Sequence, residues 1–435
     1  LSIRKIKKED VQSFLSPLIK NFLPNPKIIK DMEKSSKRTS QSVSRKHKIG
    51  IFGDYDVDGA SATALLANYF NQINVPFEIY IPDRKKEGYG PSVESFKHLI
   101  KNQVKLIFTV DCGTLSFEAI EYASKKNVDV IVLDHHQSEI NLPKAYSIVN
   151  PNRLDDESNL KYLCAAGVTF MFLISLNKEL RSVDWFIKNK TIEPNLLEYL
   201  DLVALGTICD VVPLVGLNRA IVSQGLKILR LRKNLGLKTL FDICDIQTQP
   251  NVYHIGYLLG PRINAGGRVG KSSHGANLLI SSNPKDVFKI ASELDNFNKE
   301  RQILEKEVLD KILMQLENTT QEPVIILNGK NWHEGVIGIV ASRIKDKFNK
   351  PVIIISVDNS GIGKASARSI IGFDIGSIII SAVQEKILIK GGGHKMAGGF
   401  TIEIKNFEKF KNFIFKKFEK INKNYTSKKN LYLDS

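Results

Sequence analysis

The chain has 435 residues, 43% of them hydrophobic, a length that suits two or three domains and a composition that supports ordinary cores. Lysine and arginine number 62 against 46 aspartates and glutamates, and this formal charge of +16 favours a polyanionic partner, nucleic acid before a membrane surface. Four cysteines without a CxxC pair argue against a disulfide framework and structural zinc, residues 1–12 hold no signal-peptide core, and no apolar run approaches the roughly 20 residues of a membrane span, so a reducing cytoplasm and no membrane partner are expected.

Residues 1–46, with a Pro-containing segment and a polar Ser/Lys stretch, read as a helical extension. From 47 the pattern alternates. Strands are expected at 47–52, 77–82, 105–110, 128–133 and 146–149, with helices between them such as 92–102 and 116–126. Near-continuous apolar strands joined by helices mean a parallel sheet covered on both faces, here a domain over 47–233 that turns helical from about 164. A connecting region over 234–320 includes a long charged amphipathic helix at 284–317, the length of a spacer between domains. After Pro323 come a strand in VIILNG, a helix at 336–348, a strand in VIIISV, a strand at 362–368, a helix near 374–384, the Gly-rich KILIKGGGHKMAGGFTIEI, and a basic helix at 406–422. The expected fold class is therefore α/β, a parallel-sheet domain joined by a long helix to a smaller α/β domain over 321–423.

The stretch IGIFGDYDVDGAS at 49–61 reads as strand, acidic loop and helix start. Asp54, Asp56 and Asp58 alternate, and alternate residues of an extended segment point the same way, so their carboxylates can converge. Close carboxylates repel, and a hard divalent cation resolves the repulsion. The plain alternative is an Asp-rich turn with Asp58 capping the helix. Asp111 follows the strand KLIFTV, Asp134, His135 and His136 follow VIVL, and Asp210 comes at the end of an apolar stretch. Ligands of an open parallel sheet bind beyond the carboxyl ends of its strands. A set this rich in carboxylate, with one or two imidazoles, suits a pair of Mn or Mg ions rather than zinc, with Asp111 as the bridge. Two such ions about 3.5–4 Å apart activate a water and clamp both oxygens of an in-line phosphoryl displacement, so the residues predict a two-metal phosphoesterase.

GPRINAGGR at 260–268 is expected as a Gly-rich loop that offers Arg262, Asn264, Arg268 and backbone N–H groups to phosphate oxygens. KASARS at 364–369 and GGGHKMAGG at 391–399 repeat the idea, with Lys364, Arg368 and His394 as donors and glycines that allow close approach without structural need of their own. The plain alternative is a set of tight turns. GKSS at 270–273 lacks the earlier glycine of a P-loop, where Ala265 stands, and WHEG at 332–335 lacks the second histidine of a zincin, where Ile337 stands.

In order, GDYDVDG, VDCG, DHH and Asp210 resemble the motifs of the DHH phosphoesterase superfamily. With GPRINAGGR, WHEGVIGIVASR, SARS and GGGHKMAGG, the chain is similar from about residue 12 to 420 to the RecJ family of single-strand-specific DNA exonucleases. The resemblance implies a DHH domain followed by a DHHA1 domain, and metal ligands at Asp56, Asp58, Asp111, His135 and Asp210. It implies catalytic roles for Asp111, His135 and His136, the last near the scissile phosphate. Many members of the superfamily carry a histidine where Phe52 stands, and Asp54 is expected to substitute as a ligand. Substrate contacts are implied at Arg84, Tyr89, Arg262, Asn264 and Arg268, and in the second domain at Ser366, Arg368, Gly392, Gly393 and His394. The implied reaction is 5′→3′ release of 5′-mononucleotides from single-stranded DNA in recombination and repair, with two Mn2+ or Mg2+ ions, beside a single-strand-binding protein and a helicase. Residues 424–435 resemble the start of an OB-fold domain, and the loss of such a domain should weaken binding while leaving the metal centre whole. The other readings are a DHH phosphodiesterase of short oligonucleotides or cyclic dinucleotides and a catalytically dead DNA-binding scaffold. The scaffold sits poorly with a full set of motif aspartates.

Overall fold

The structure is a computed structural model that describes residues 6–84, 86–316 and 322–422; the expected OB-fold start lies outside them. The chain divides into two compact units, Leu1–Asn298 and Lys299–Ser435.

In the first unit the β-branched and aromatic runs form β1 (Ile49–Gly53), β2 (Phe77–Tyr80), β3 (Leu106–Val110), β4 (Asp129–Leu133) and β5 (Ser147–Val149). They lie parallel in the order β2-β1-β3-β4-β5. Both faces are covered, and alternate residues serve each. Ile51, Phe108 and Ile131 pack with Phe70 and Phe172 of the helices Val57–Gln72 and Ala165–Ser182. Phe52, Ile107 and Val130 pack instead with Phe96 and Ile120 of the helices Val93–Lys101 and Phe117–Lys125. Each such buried side chain contributes about 1.5–3 kcal/mol relative to exposure. The chain leaves β1 for β2 on one side and returns to β3 on the other. That reversal opens a crevice at the carboxyl ends of β1 and β3, where such sheets bind ligands.

The stretches expected as an extension and a connecting region share this core. Ile29, Met32 and Val43, and likewise Leu237, Leu240 and Ile263, lie in the same buried cluster as the strands. GPRINAGGR is a correction: it is helical, not a loop. A π-helical turn, His254–Leu259, runs into the helix Gly260–Val269. Its glycines serve close packing, since a Cβ added to Gly260 would lie 2.6 Å from Cys209 Sγ and one on Gly267 2.5 Å from Tyr55.

The helix Pro284–Leu316 carries the chain from the first unit into the second. There β6 (Ile325–Lys330), β7 (Val352–Val357), β8 (Ile362–Arg368), β9 (Lys390–His394) and β10 (Ala397–Glu403) form a mixed sheet of order β6-β7-β8-β10-β9. Only β6 and β7 are parallel neighbours. Ile325, Val352 and Ile354 pack with Val336 and Val340 of the helix Glu334–Phe348. Ile353, Ala365, Ala367 and Phe400 pack with Ile379 and Phe410 of the helices Ile375–Gln384 and Phe407–Asn422. The Gly-rich stretch is the hairpin β9–β10.

Candidate functional site

β1 delivers Asp54 into the crevice, buried at 4% exposure. The chain then turns into a helix. Asp56 is the N-cap of Val57–Gln72, and its side chain accepts the Gly59 N–H at 2.9 Å. Asp58 lies in the first helical turn, so the alternation expected of an extended loop does not hold. Its two oxygens accept the N–H groups of Ala165 at 2.6 Å and Ala166 at 2.9 Å, at the start of the helix Ala165–Ser182. Asp58 therefore caps a second helix, not its own.

Asp111 follows β3 with φ of 61°, a left-handed conformation that aspartate adopts more readily than most residues. His135 and His136 follow β4, and Asp210 closes the helix Leu200–Cys209. Gly206 keeps that helix close, since a Cβ there would lie 2.6 Å from Asp58 Oδ1.

These side chains meet as three triads with donor atoms within 4.8 Å of one another: Asp111 with His135 and His136, Asp58 with His135 and Asp210, and Asp54 with Asp56 and Asp111. Asp111 and His135 each belong to two triads, so the donors form one continuous set. His135 Nε2 lies 3.2 Å from Asp111 Oδ1, and its Nδ1 lies 3.6 Å from Asp210 Oδ2.

Burial pushes the carboxyls of Asp54, Asp58, Asp111 and Asp210 upward, and neighbouring aspartates push them further. Asp54 and Asp210 rise to about 8, and Asp111 rises well above the carboxylate range. Among the described residues, Asp54 Oδ1 and Asp111 Oδ1 are buried without a hydrogen-bond partner. A buried acceptor left unmet costs about 1–3 kcal/mol, more when charged. Hard oxygen donors in this state fit a divalent cation.

Asp134 has a different task. It accepts the N–H groups of Thr114, His135 and His136 at 3.1, 2.8 and 3.2 Å, and His136 Nδ1 lies 2.8 Å away. Burial alone would raise its carboxyl, but the bond and charge of His136 and the charge of His135 hold it well below the usual range. Burial likewise favours neutral His136, but the bond and charge of Asp134, then Asp210 and Asp56, carry it up to about 9.

Tyr89 donates its hydroxyl to the Asp111 carbonyl at 2.9 Å, and the same hydroxyl oxygen of Tyr89 lies 3.2 Å from His136 Nδ1. Exposed Arg84 lies over the Tyr55 ring at 4.8 Å. Arg268 sits in the last turn of Gly260–Val269, and its charge also reaches the Tyr55 phenol. Arg262 and Asn264, expected as substrate contacts, have protein partners. Arg262 pairs with Asp295 at 2.9 Å, and Asn264 accepts the Val57 N–H at 3.2 Å. Asn264 thereby braces the helix start that carries Asp56 and Asp58, while Arg262 ties its own helix to Asp295.

The sequence reading also passes over Asn150 and Asn152. Asn150 Nδ2 donates to the His136 carbonyl and Thr114 Oγ1, both at 2.9 Å, and Asn152 Nδ2 donates to the His135 carbonyl at 2.5 Å. They stand just beyond β5, so the strand-end rule that points to Asp111 also points to them.

In the second unit the register sets Lys364, Ser366 and Arg368 of β8 beside Thr401, Gly399 and Ala397 of β10, and these beside Lys390, Gly392 and His394 of β9. A Cβ on Gly392 would meet nothing within 4 Å, so this face is open there. The other glycines have the structural need that the sequence reading denies them. A Cβ on Gly391 would meet Phe400 at 2.6 Å and Ile379 at 2.8 Å, and Gly376 of the covering helix sits 2.8 Å from the Gly393 carbonyl by the same measure. Gly393 therefore lies on the helix-covered side, away from Gly392. Arg368 donates to Ser342 Oγ at 3.2 Å and to Ser366 Oγ at 3.1 Å, and His394 is exposed.

Both units match known domains: the DHH family, N-terminal domain, over residues 48–207 and the DHHA1 domain over 321–420. The fold and the donor set at its strand ends thus define a two-domain DHH protein. The single-stranded-DNA-specific exonuclease RecJ of Bacillus subtilis is 36% identical over 383 residues, 87% of this chain and 46% of its own length. That of Haemophilus influenzae is 35% identical over 406 residues, 91% of this chain and 70% of its own. The crystal structure of Thermus thermophilus RecJ in complex with Mn2+ matches with a TM-score of 0.79 at 29% identity, covering 94% of this chain and 57% of that one, and a Mg2+ complex from the same organism matches as well. The chain belongs to the RecJ family. It spans about half the length of the Bacillus and Thermus relatives.

Proposed function

We propose that this chain is the catalytic part of a single-strand-specific DNA exonuclease that releases 5′-mononucleotides, 5′→3′, by phosphodiester hydrolysis in recombination and repair. The observation that carries this reading is the donor set: five aspartates and two histidines in three triads joined through Asp111 and His135, two of their buried oxygens unmet. Asp54, Asp56, Asp58, Asp111, His135 and Asp210 hold two ions in this reading, Mn2+ or Mg2+, the ions named for the Thermus relative. Bound there, the ions polarise the phosphodiester and activate the attacking water.

The chain's own residues do the rest. His136, cationic at neutral pH through Asp134, presents positive charge where the phosphate carries negative charge. Tyr89 holds the Asp111 carbonyl and the His136 edge in one arrangement. Arg84 and Arg268, whose charges both reach Tyr55, draw in the next phosphates. In the second unit, Gly392 leaves room for a sugar–phosphate backbone to approach β9, while Ser366 and Arg368, set beside the helix Glu334–Phe348, and exposed His394 supply donors. Direction and product follow from the family resemblance. No helix among the described residues is long and apolar enough to cross a membrane, and the setting proposed is cytoplasmic, where a single-strand-binding protein and a helicase present the strand.

Incubation with 5′-labelled and 3′-labelled single-stranded DNA and Mn2+ tests the reading. Mononucleotide released at once from the 5′ label, and lost in Asp111→Ala, is the expected result. Tight binding without cleavage in either metal would overturn it.

A further inference from the structure

We propose that Tyr253 and Tyr257 form a stacking platform for nucleobases of the strand held at the metal centre, an inference that rests on the nuclease reading above. The two residues stand one helical turn apart at 59% and 71% exposure. Their rings already stack on each other, with centroids 5.2 Å apart and planes 21° apart, and His254 meets Tyr253 edge-on at 6.2 Å. An exposed pair held in this way loses little rotamer freedom on binding, since tyrosine has only two side-chain torsions.

The backbone beneath them ties this pair to the donor set. They stand on and beside the π-helical turn His254–Leu259, and such turns gather at functional sites. Ile255 and Leu259 are buried anchors. On the same turn a Cβ on Gly256 would lie 3.5 Å from Ile208, and Cys209 Sγ lies 3.7 Å from the Ile255 carbonyl. The next residue after Cys209 is Asp210, and Val211 beyond it is 85% exposed, so apolar surface begins directly at a ligand of the proposed metal pair. Further along, Asn264 binds the Val57 N–H beside Asp56 and Asp58. One continuous segment therefore braces both sides of the donor set and carries the two exposed rings.

The chemistry selects the occupant. Asp210 and its neighbours repel phosphates from uncoordinated positions, so the surface beside them suits a base rather than the backbone. Every base has a π face, and a single strand offers bases free of pairing where a duplex does not. The platform thus supports single-strand preference without sequence preference.

The test uses the full 435-residue chain with a chelator present, so that binding is read without cleavage. Fluorescence anisotropy compares a labelled single-stranded oligonucleotide on wild type, on the Tyr253→Ala/Tyr257→Ala pair and on the Tyr253→Phe/Tyr257→Phe pair. The alanine pair is expected to raise Kd about tenfold or more, from the loss of one stacked base, while the phenylalanine pair stays at wild type. One abasic residue walked along the strand should weaken wild-type binding at one or two positions and leave the alanine pair indifferent there. Circular dichroism checks folding, and the abasic walk on wild type stands even if the alanine pair unfolds. Equal Kd in all three chains, or a flat abasic walk, overturns the platform. Wild type that binds but never cleaves in Mn2+ counts against the nuclease reading and leaves the platform standing.

Discussion

Asp58 accepts two N–H groups from Ala165 and Ala166 and lies 3.8 Å from His135, so a cap role and the proposed ligand role fall on one carboxylate. Asp111 Oδ1 has no such bond. The two positions should respond differently to substitution. Asp58→Ala orphans a buried helix start and should cost about 2 kcal/mol, read as a lower urea midpoint, besides ending cleavage. Asp111→Asn should end cleavage while raising the metal-free melting temperature at neutral pH, because asparagine is neutral without the cost of protonating a buried carboxyl and tolerates the left-handed backbone. A lowered melting temperature in Asp111→Asn would contradict this account. Asp201 gives a pH test away from the site. Burial raises its carboxyl to about 6, so its neutral form is the one that suits the fold. The stability tied to that form is complete below about pH 4 and is lost as pH rises through 6. Asp201→Asn should therefore match wild type at pH 4 and exceed it by about 2–3 kcal/mol at most at pH 8, in urea titrations at both values. Aspartates and histidines at strand ends are visible in the sequence. Which aspartate caps which helix is not, because the partners of Asp58 stand more than a hundred residues away.

At the scale of elements the glycines decide most. GGGH and GPRINAGGR both look like loops in a sequence, since glycine weakens helix and strand alike. One is a strand and the other a helix because a neighbour must come close: Phe400 and Ile379 at Gly391, Tyr55 at Gly267. That need is set by tertiary contacts and leaves no periodic signal. Gly391→Ala and Gly392→Ala separate the two uses of glycine within one strand. Gly391→Ala should lose about 1–3 kcal/mol through overpacking. Gly392→Ala meets only open space, so it should keep its thermal midpoint and lose affinity for single-stranded DNA. Equal stability losses in the two variants would remove the distinction. The parallel strands of the first unit, in contrast, are legible within a residue or two, because long apolar runs bounded by turn residues have one reading.

Across the molecule, the sequence conveys two α/β regions and a long helix between them. It conveys less of what belongs to each core. Met32 sits in a polar stretch and Ile263 in a Gly-rich one, yet both are buried with the first sheet. Sparse apolar residues of this kind carry too little pattern to assign to a core from sequence. The donor set also couples the fold to its ions. Excess Mn2+ should raise the melting temperature relative to chelator, by about 2.7 kcal/mol of stability at a hundredfold excess over Kd, and Asp111→Asn should lose most of that gain. Differential scanning fluorimetry with and without metal would show it, and equal gains in both chains would place the stabilising ion elsewhere.

β9 is one of the two edge strands of its sheet, and an edge strand is where separate chains tend to fuse into aggregates. Here Gly391, Gly392 and Gly393 give an incoming copy no side chains to interlock with, and Lys390 and Lys395 set like charges against it at either end. The bare backbone at Gly392 is thereby a poor seam for self-assembly along this edge of the sheet.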